Sequence, residues 1–181
     1  MKYDVDFLSK IGENYLEEAR KCNQNKYYVS SFIMYGAALE GVLLAMCCCY
    51  PARVRTTKTY KKVKGRSRRK RAIFLNLSLS QLISIAKELN WLPFKEKIED
   101  IGTFENWVRF VQETRNLVHP GRWLKPSIYF IELPKLMRKP PYRKYQDFAE
   151  ICDETVSGIC LLLANKVEED LAKKIKRLSK K

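Results

Sequence analysis

The sequence predicts an all-α protein, an antiparallel helical bundle of about five helices with a basic arm or β-hairpin inserted between helices 2 and 3. Three observations predict this fold. Apolar residues recur at helical spacing through most of the chain. Residues 27–52 are apolar nearly all round, as in a central helix. A basic segment, residues 53–71, interrupts the pattern. With 181 residues, 46% of them hydrophobic, we expect one domain spanning residues 1–181.

The first predicted helix runs from Tyr3 to about Lys21, because apolar residues follow i, i+3, i+4 spacing with charges between them. The second begins near Tyr27 and ends at Pro51. A membrane span needs about 20 apolar residues, which this stretch offers. Glu40 is its only charged residue and lies near its middle, where a carboxylate is costly in lipid. A buried bundle helix is therefore favoured over a membrane span.

The later helices have local start and stop signals. Ser78 and Gln81 have the spacing of a capping box, which opens a third helix that ends near Asn90. A short helix is predicted over residues 94–101 and a longer one over residues 103–120. Prolines predict a connecting loop over residues 122–141. The last helix is predicted from Tyr145 to about Leu178, and its inward residues are Phe148, Ile151, Cys152, Thr155, Ile159, Leu162 and Leu163.

Positive charge is concentrated in two segments. The chain has 35 Lys and Arg against 20 Asp and Glu, a formal net charge of +15. Eleven basic residues and no acid lie within residues 53–71, and six more form a basic tail at residues 173–181. Such segments bind a polyanion through counterion release. An anionic lipid surface suits the same charge, and a solvated loop is the alternative without a partner. We expect nucleic acid and no membrane.

The inserted arm supplies the candidate nucleic-acid-binding residues. Its β-forming residues and the turn-forming pair Lys64 and Gly65 favour a hairpin, while its low apolar content fits disorder equally well. Tyr60 is the aromatic ring that would stack on an unpaired base. The set is Arg53, Arg55, Lys58, Tyr60, Lys61, Lys62, Lys64, Arg66, Arg68, Arg69, Lys70 and Arg71.

The cysteines do not form a metal-binding pattern. Three of the six are consecutive, and successive helical side chains point about 100° apart, so these three cannot close one site. His119 is the single histidine. We therefore expect no metal and no cofactor, with the thiols filling a core in a reducing compartment. The acidic N-terminal residues are unlike a signal peptide, and we expect a cytoplasmic protein.

Two side chains suited to phosphate chemistry continue a buried stripe. Steps of four from Val111 reach Arg115 and then His119. A neutral imidazole can accept the proton of an RNA 2′-OH, and a guanidinium can hold the phosphate as charge develops. The structural alternative is that His119, next to Pro120, ends the helix and that Arg115 pairs with an acid such as Glu40.

Three segments, in this order, resemble the HEPN superfamily of helical domains. They are residues 36–44 (GAALEGVLL), residues 79–83 (LSQLI) and residues 115–120 (RNLVHP). The resemblance implies an antiparallel helical bundle, usually a homodimer. Many members are metal-independent endoribonucleases, and others only bind RNA or nucleotides.

The resemblance also assigns roles by position. Arg115 would grip the phosphate, Asn116 would orient the backbone, His119 would be the acid/base, and Glu40 would position the arginine. A homodimer would supply two histidines. The function implied is that of a toxin or defence component, with a cognate antitoxin or partner protein. Three residues separate Arg115 from His119, whereas the family usually has four to six. The alternative is a non-catalytic nucleic-acid-binding or partner-binding helical module.

Overall fold

The computed structural model describes residues 5–66, 76–93, 97–98, 102–115 and 141–179. These ranges contain seven helices and one pair of two-residue strands, which confirms the all-α class. The elements are α1 (Val5–Gln24), α2 (Tyr28–Cys49), α3 (Pro51–Thr56), α4 (Lys58–Arg66), α5 (Leu79–Glu88), β1 (Lys97–Ile98), β2 (Gly102–Thr103), α6 (Phe104–Arg115) and α7 (Pro141–Leu178).

Helix α2 is the centre of the bundle. It packs against α1, α5, α6 and α7, and Phe32, Tyr35, Leu39 and Leu43 are fully buried along it. Burying large apolar side chains on several sides explains why this helix is apolar nearly all round. Among the described helices it alone has the length and hydropathy to cross a membrane, and half of its most apolar window is buried in the bundle.

Helix α1 approaches α2 closely because two glycines face each other. A Cβ on Gly41 would lie 3.2 Å from the Cα of Gly12, so the backbones meet with no side chain between them. Across the bundle, Arg20 Nε donates a hydrogen bond of 2.8 Å to Asp153 on α7. Helices α1, α2 and α7 therefore pack against one another.

Helix α5 begins and ends as predicted. The Ser78 amide donates to Gln81 Oε1 at 2.9 Å, and the Gln81 amide donates to Ser78 Oγ at 3.4 Å, which confirms the capping box. Asn90 adopts a left-handed conformation with φ of 50°. The Trp91 amide then bonds back to the Ala86 carbonyl at 2.9 Å, which ends the helix.

Helices α6 and α7 complete the core. The Phe110 and Phe148 rings meet edge to face, 5.1 Å apart. The last helix begins at Pro141, four residues before the predicted Tyr145. The predicted inward residues Phe148, Cys152, Thr155, Ile159 and Leu163 are buried, but Leu162 is 40% exposed, so its assignment to the core was wrong.

The predicted arm or hairpin is a pair of helices where the structure describes it. Residues 51–66 form α3 and α4, with Pro51 in the first turn of α3. Val54 is fully buried and Tyr60 is 7% exposed, so both helices are anchored on the core. These two extra helices account for the count of seven instead of about five. Residues 67–71 of the predicted arm lie outside the described residues.

The short helix predicted over residues 94–101 was also wrong. Lys97 and Ile98 pair as an antiparallel strand with Thr103 and Gly102, respectively. β-branched Ile98 and Thr103 favour extended backbone, which competes with helix formation in so short a segment. Of the loop predicted over residues 122–141, residues 122–140 lie outside the described residues, and Pro141 belongs to α7.

Candidate arginine site and nucleic-acid interface

An ion pair joins the centre of the bundle to the end of α6. Glu40 lies on α2, and Arg115 is the last residue of α6. The Nη1 of Arg115 donates to Oε2 of Glu40. The two residues are 75 positions apart in sequence, so the pair fixes the end of α6 against α2. This contact is expected from the sequence in two ways, as the structural alternative and as the positioning role that the resemblance implies.

The side chain of Arg115 packs directly on Gly36. A Cβ on Gly36 would lie 2.5 Å from Cδ of Arg115 and 2.9 Å from its Cβ and Cγ. The aliphatic part of the arginine therefore crosses α2 directly over the glycine. Gly36 and Glu40 are one helical turn apart on α2, so the same face of the helix contacts the aliphatic part of Arg115 and binds its guanidinium.

The arginine remains open to solvent. The Arg115 side chain is 35% exposed and that of Glu40 is 32% exposed. A guanidinium has five N–H donors, and the contact with Glu40 uses Nη1, so donors remain for an anion. The preceding residue, Thr114, is fully buried, and its hydroxyl lies 3.3 Å from the Cys152 thiol on α7. The arginine is thus exposed at the end of a well-anchored helix.

Asn116 and His119, the other two predicted residues of this site, lie outside the described residues. The structure therefore brings Glu40 and Arg115 together, and the roles of Asn116 and His119 stay predictions. Gly36 is the contact that the sequence analysis missed, although it lies in the segment that carries the resemblance. Its spacing of four from Glu40 was the available signal.

The described part of the basic segment presents its cations on two helices. Six of its side chains are exposed to solvent: Arg53, Arg55, Lys58, Lys61, Lys62 and Lys64. The backbone of Arg66 ends α4, whereas Arg68, Arg69, Lys70 and Arg71 lie outside the described residues. The described cations therefore lie on helical backbone and not on the predicted hairpin.

Tyr60 does not have the role predicted for it. Its side chain is 7% exposed and belongs to the hydrophobic core, with Val63 packed partly buried one turn later. A ring in this position cannot stack on an unpaired base. The prediction was wrong because Tyr60 and Val63, three residues apart, form the apolar anchor of an amphipathic helix.

Glu88 fixes the start of α4. Its carboxylate accepts hydrogen bonds from the amides of Lys58 and Thr59, at 2.6 Å and 3.0 Å, and one from the Thr59 hydroxyl. Thr57 Oγ1 accepts from the Tyr60 amide at 3.2 Å. Partial burial opposes ionisation of Glu88, but the hydrogen bonds from Thr59 and Lys58 outweigh it and hold its pKa below the ordinary value. A negative charge here also suits the helix dipole.

Tyr50 links the basic helices to α7. Its hydroxyl donates to Asp170 Oδ2 at 2.9 Å, and the Arg53 guanidinium lies 5.8 Å from its ring centroid. Burial, followed by the hydrogen bond to Asp170, raises the pKa of Tyr50 to about 12. The Trp91 ring packs on the same tyrosine, with centroids 6.1 Å apart. Tyr50, Arg53, Trp91 and Asp170 form the Tyr50 cluster. It was not predicted from the sequence, because Trp91 and Asp170 are far from Tyr50 in the chain.

The described residues include no metal-binding cluster, and two of the described cysteines are buried. No group of three or more His, Cys, Asp or Glu side chains there is placed to hold a metal ion. Burial raises the pKa of Cys47 and of Cys152 to about 12, so both remain protonated at neutral pH. These two cysteines fill the core, in line with the expectation from sequence.

Comparison with protein-family models, with curated proteins and with solved structures finds no match for the chain.

Proposed function

We propose that the chain is a HEPN-like RNA-acting helical domain in which Arg115, positioned by Glu40, contacts an RNA phosphate. The observation that carries the proposal is the ion pair between α2 and α6, which leaves a third of the arginine side chain exposed. A partly exposed guanidinium with one nitrogen already held is pre-organised, because its remaining donors have a defined direction.

The reaction proposed is metal-independent cleavage of RNA. His119 accepts the proton of a 2′-OH, and the 2′ oxygen attacks the adjacent phosphorus. The bond to the 5′ oxygen breaks, which leaves a 2′,3′-cyclic phosphate and a 5′-OH. Arg115 stabilises the charge that develops on the phosphate, and Asn116 orients the backbone beside it. The 5′ oxygen needs a proton, and a homodimer would supply it from the second His119.

The exposed cations of α3 and α4 would hold the RNA. They contact phosphates without reading sequence, so affinity falls as salt rises. The setting proposed is a cytoplasmic toxin or defence component with a cognate antitoxin or partner protein.

A non-catalytic nucleic-acid-binding module is the second candidate. The observation that favours it is the ion pair itself, because a carboxylate bound to Arg115 neutralises part of the charge that a phosphate would meet. In that case the pair stabilises the bundle, and binding belongs to α3 and α4 alone.

The experiment is incubation of the purified protein with single-stranded RNA in EDTA, beside Arg115→Ala and His119→Ala. We expect wild-type protein to leave 2′,3′-cyclic phosphate ends and each variant to lose at least about 100-fold in rate, the scale of one acid/base or electrostatic group. Product ends are identified by mass spectrometry.

The matched control is Arg109→Ala. Arg109 is on the same helix and forms a comparable ion pair, with Glu105 at 2.9 Å, and its side chain is 44% exposed. It should cleave at the wild-type rate. Intact RNA that is retained in a salt-dependent way would reject catalysis and support the binding module. Equal loss in Arg109→Ala would show that the effect of Arg115→Ala is not specific to the site.

A further inference from the structure

We propose that the end of α7 joins α3 and α4 in a single basic surface that binds the backbone of double-stranded RNA. The inference rests on the proposed function, because it adds residues to the binding surface and names the part of the RNA that this surface holds: a duplex segment beside the single-stranded segment in which cleavage is proposed. The new residues are Lys173, Lys174, Lys176 and Arg177.

The Tyr50 cluster places the two basic regions together. Tyr50 lies between α2 and α3, and its hydroxyl is 2.9 Å from Asp170 on α7. Arg53 of α3 lies over the same ring. Lys173 follows Asp170 by three residues, about 4.5 Å of helical rise. The cations of α7 therefore begin within one turn of the point where α3 is attached.

The charge at this end is mostly positive. Ten described Lys and Arg side chains of α3, α4 and the end of α7 are exposed. Four described carboxylates lie in the same region: Glu88 at the start of α4, Asp170 bonded to Tyr50, Glu169 paired with Lys173 at 3.5 Å, and the exposed Glu168. Cations that outnumber the neighbouring carboxylates across three helices form a surface of the kind that releases counterions from a nucleic acid.

The aromatic rings that the structure describes at this end, those of Tyr50, Tyr60 and Trp91, are packed in the fold. Tyr60 is 7% exposed and Trp91 is 4% exposed. The Tyr50 ring contacts Trp91 at 6.1 Å and Arg53 at 5.8 Å. Proteins that hold single strands stack bases on exposed rings, whereas duplex RNA is bound through phosphates and 2′-hydroxyls presented at regular spacing. Cations fixed on helices, beside rings packed into the core, match the second mode.

The end of α7 also has an apolar stripe, which provides the control. Leu171, Ile175 and Leu178 are spaced by four and three residues and are 54–65% exposed. A helix with such a stripe and basic flanks also suits an anionic lipid surface. Phosphate contact predicts that only the cations matter for RNA, whereas lipid insertion predicts that Ile175 matters as much as its basic neighbours.

The experiment measures binding of a blunt RNA duplex of about 20 base pairs, long enough for a shape-specific duplex reader, and of each of its strands. Fluorescence anisotropy at several salt concentrations gives affinity and salt slope for wild type, Lys174→Gln, Arg177→Gln and Ile175→Gln. We expect the duplex to bind at least about tenfold more tightly than either strand. Each cation variant should reduce the salt slope by about one, and Ile175→Gln should bind as wild type does.

The outcomes separate this inference from the proposed function. Strands bound as tightly as the duplex, or cation variants that bind like wild type, would overturn the inference and leave RNA binding by α3 and α4 intact. Binding to neither form would overturn both. Loss of RNA binding in Ile175→Gln, together with capture of the wild type on phosphatidylserine vesicles, would replace phosphate contact by lipid docking. Circular dichroism of each variant shows whether the helices are retained.

Discussion

At the scale of single residues, the position of Arg115 depends on the absence of a side chain at Gly36. Gly36 has no Cβ, and the stem of Arg115 occupies the space where one would lie. The atoms nearest to that position include Cβ of the arginine, which cannot move away without a shift of α6. The ion pair with Glu40 therefore depends on the glycine as well as on the two charged residues.

We predict that Gly36→Ala destabilises the protein and breaks the ion pair. Overpacking costs about 1–3 kcal/mol, which exceeds the roughly 1 kcal/mol that alanine gains over glycine in a helix. The free energy of unfolding, measured with denaturant, should fall by about 1 kcal/mol.

Gly158→Ala is the matched control for this change. Gly158 is also within a helix, but a Cβ there would meet no atom within 4 Å. Its variant should gain about 0.5–1 kcal/mol from helix propensity alone. If both alanine variants are more stable than the wild type, Arg115 does not pack closely on Gly36 and the prediction is wrong.

At the scale of elements, α4 depends on a carboxylate from outside itself. Its first amides bind Glu88, which follows thirty residues after Lys58. A helix of nine residues is too short to be stable alone in water. The contact with α5 and the buried Tyr60 therefore hold the basic helix in place.

We predict that Glu88→Gln lowers the free energy of unfolding by about 1 kcal/mol at pH 7, as the loss of a charged cap does. The folded-state pKa of Glu88 lies below its ordinary value of 4.5. The carboxylate therefore stabilises the fold above about pH 4.5, and this contribution is lost as the pH falls through the lowered pKa.

Denaturant unfolding of the wild type and of Glu88→Gln between about pH 3 and pH 7 tests this. The two free energies should converge at the acidic end. If the difference between the two free energies of unfolding is constant with pH, the effect of Glu88→Gln does not come from the charge of the carboxylate.

Helices α3, α4 and α5 show which elements could be predicted from the sequence. The capping box of α5 was found because both of its residues lie within one turn. Helices α3 and α4 were missed because Val54 and Tyr60 are isolated apolar residues in a basic run, and the cap comes from Glu88. Local pattern is informative where the stabilising contact is local.

The candidate site shows the same division. Glu40 and Arg115 were linked because Arg115 continues the buried stripe of its helix, Glu40 is the charged residue of the apolar helix, and the resemblance gives Glu40 a positioning role. The contact of Tyr50 with Asp170 joins residues 120 positions apart, and no periodicity indicates it. Gly36 reads as an ordinary small residue of a buried helix until the position of Arg115 is known.

At the scale of the whole molecule, the described helices form a bundle around a buried core. Helix α2 supplies much of the core, and the thiols of Cys47 and Cys152 are fully buried in it. Both have a pKa raised to about 12 by burial, so they are neither exposed nor ionised in the folded state.

We predict that Cys47 and Cys152 react with iodoacetamide only when the whole bundle opens. Cys22, which is partly exposed on α1, should react first. Peptide mapping by mass spectrometry gives the rate for each thiol, and the two buried ones should accelerate together as denaturant is added. Cys152 labelled in native buffer as fast as Cys22 would show that α6 and α7 separate independently of the rest.

The seat of Arg115 on Gly36 has an evolutionary consequence. A side chain at position 36 and an arginine at position 115 cannot occupy the same space, so in related chains the two positions should change together. A lineage that replaces the arginine is free to gain a larger residue at 36, and Glu40 then loses the partner that selects for its charge. Related chains in which positions 36 and 115 have both changed would have lost this site. Chains that keep glycine at 36 and arginine at 115 would still be under selection for it.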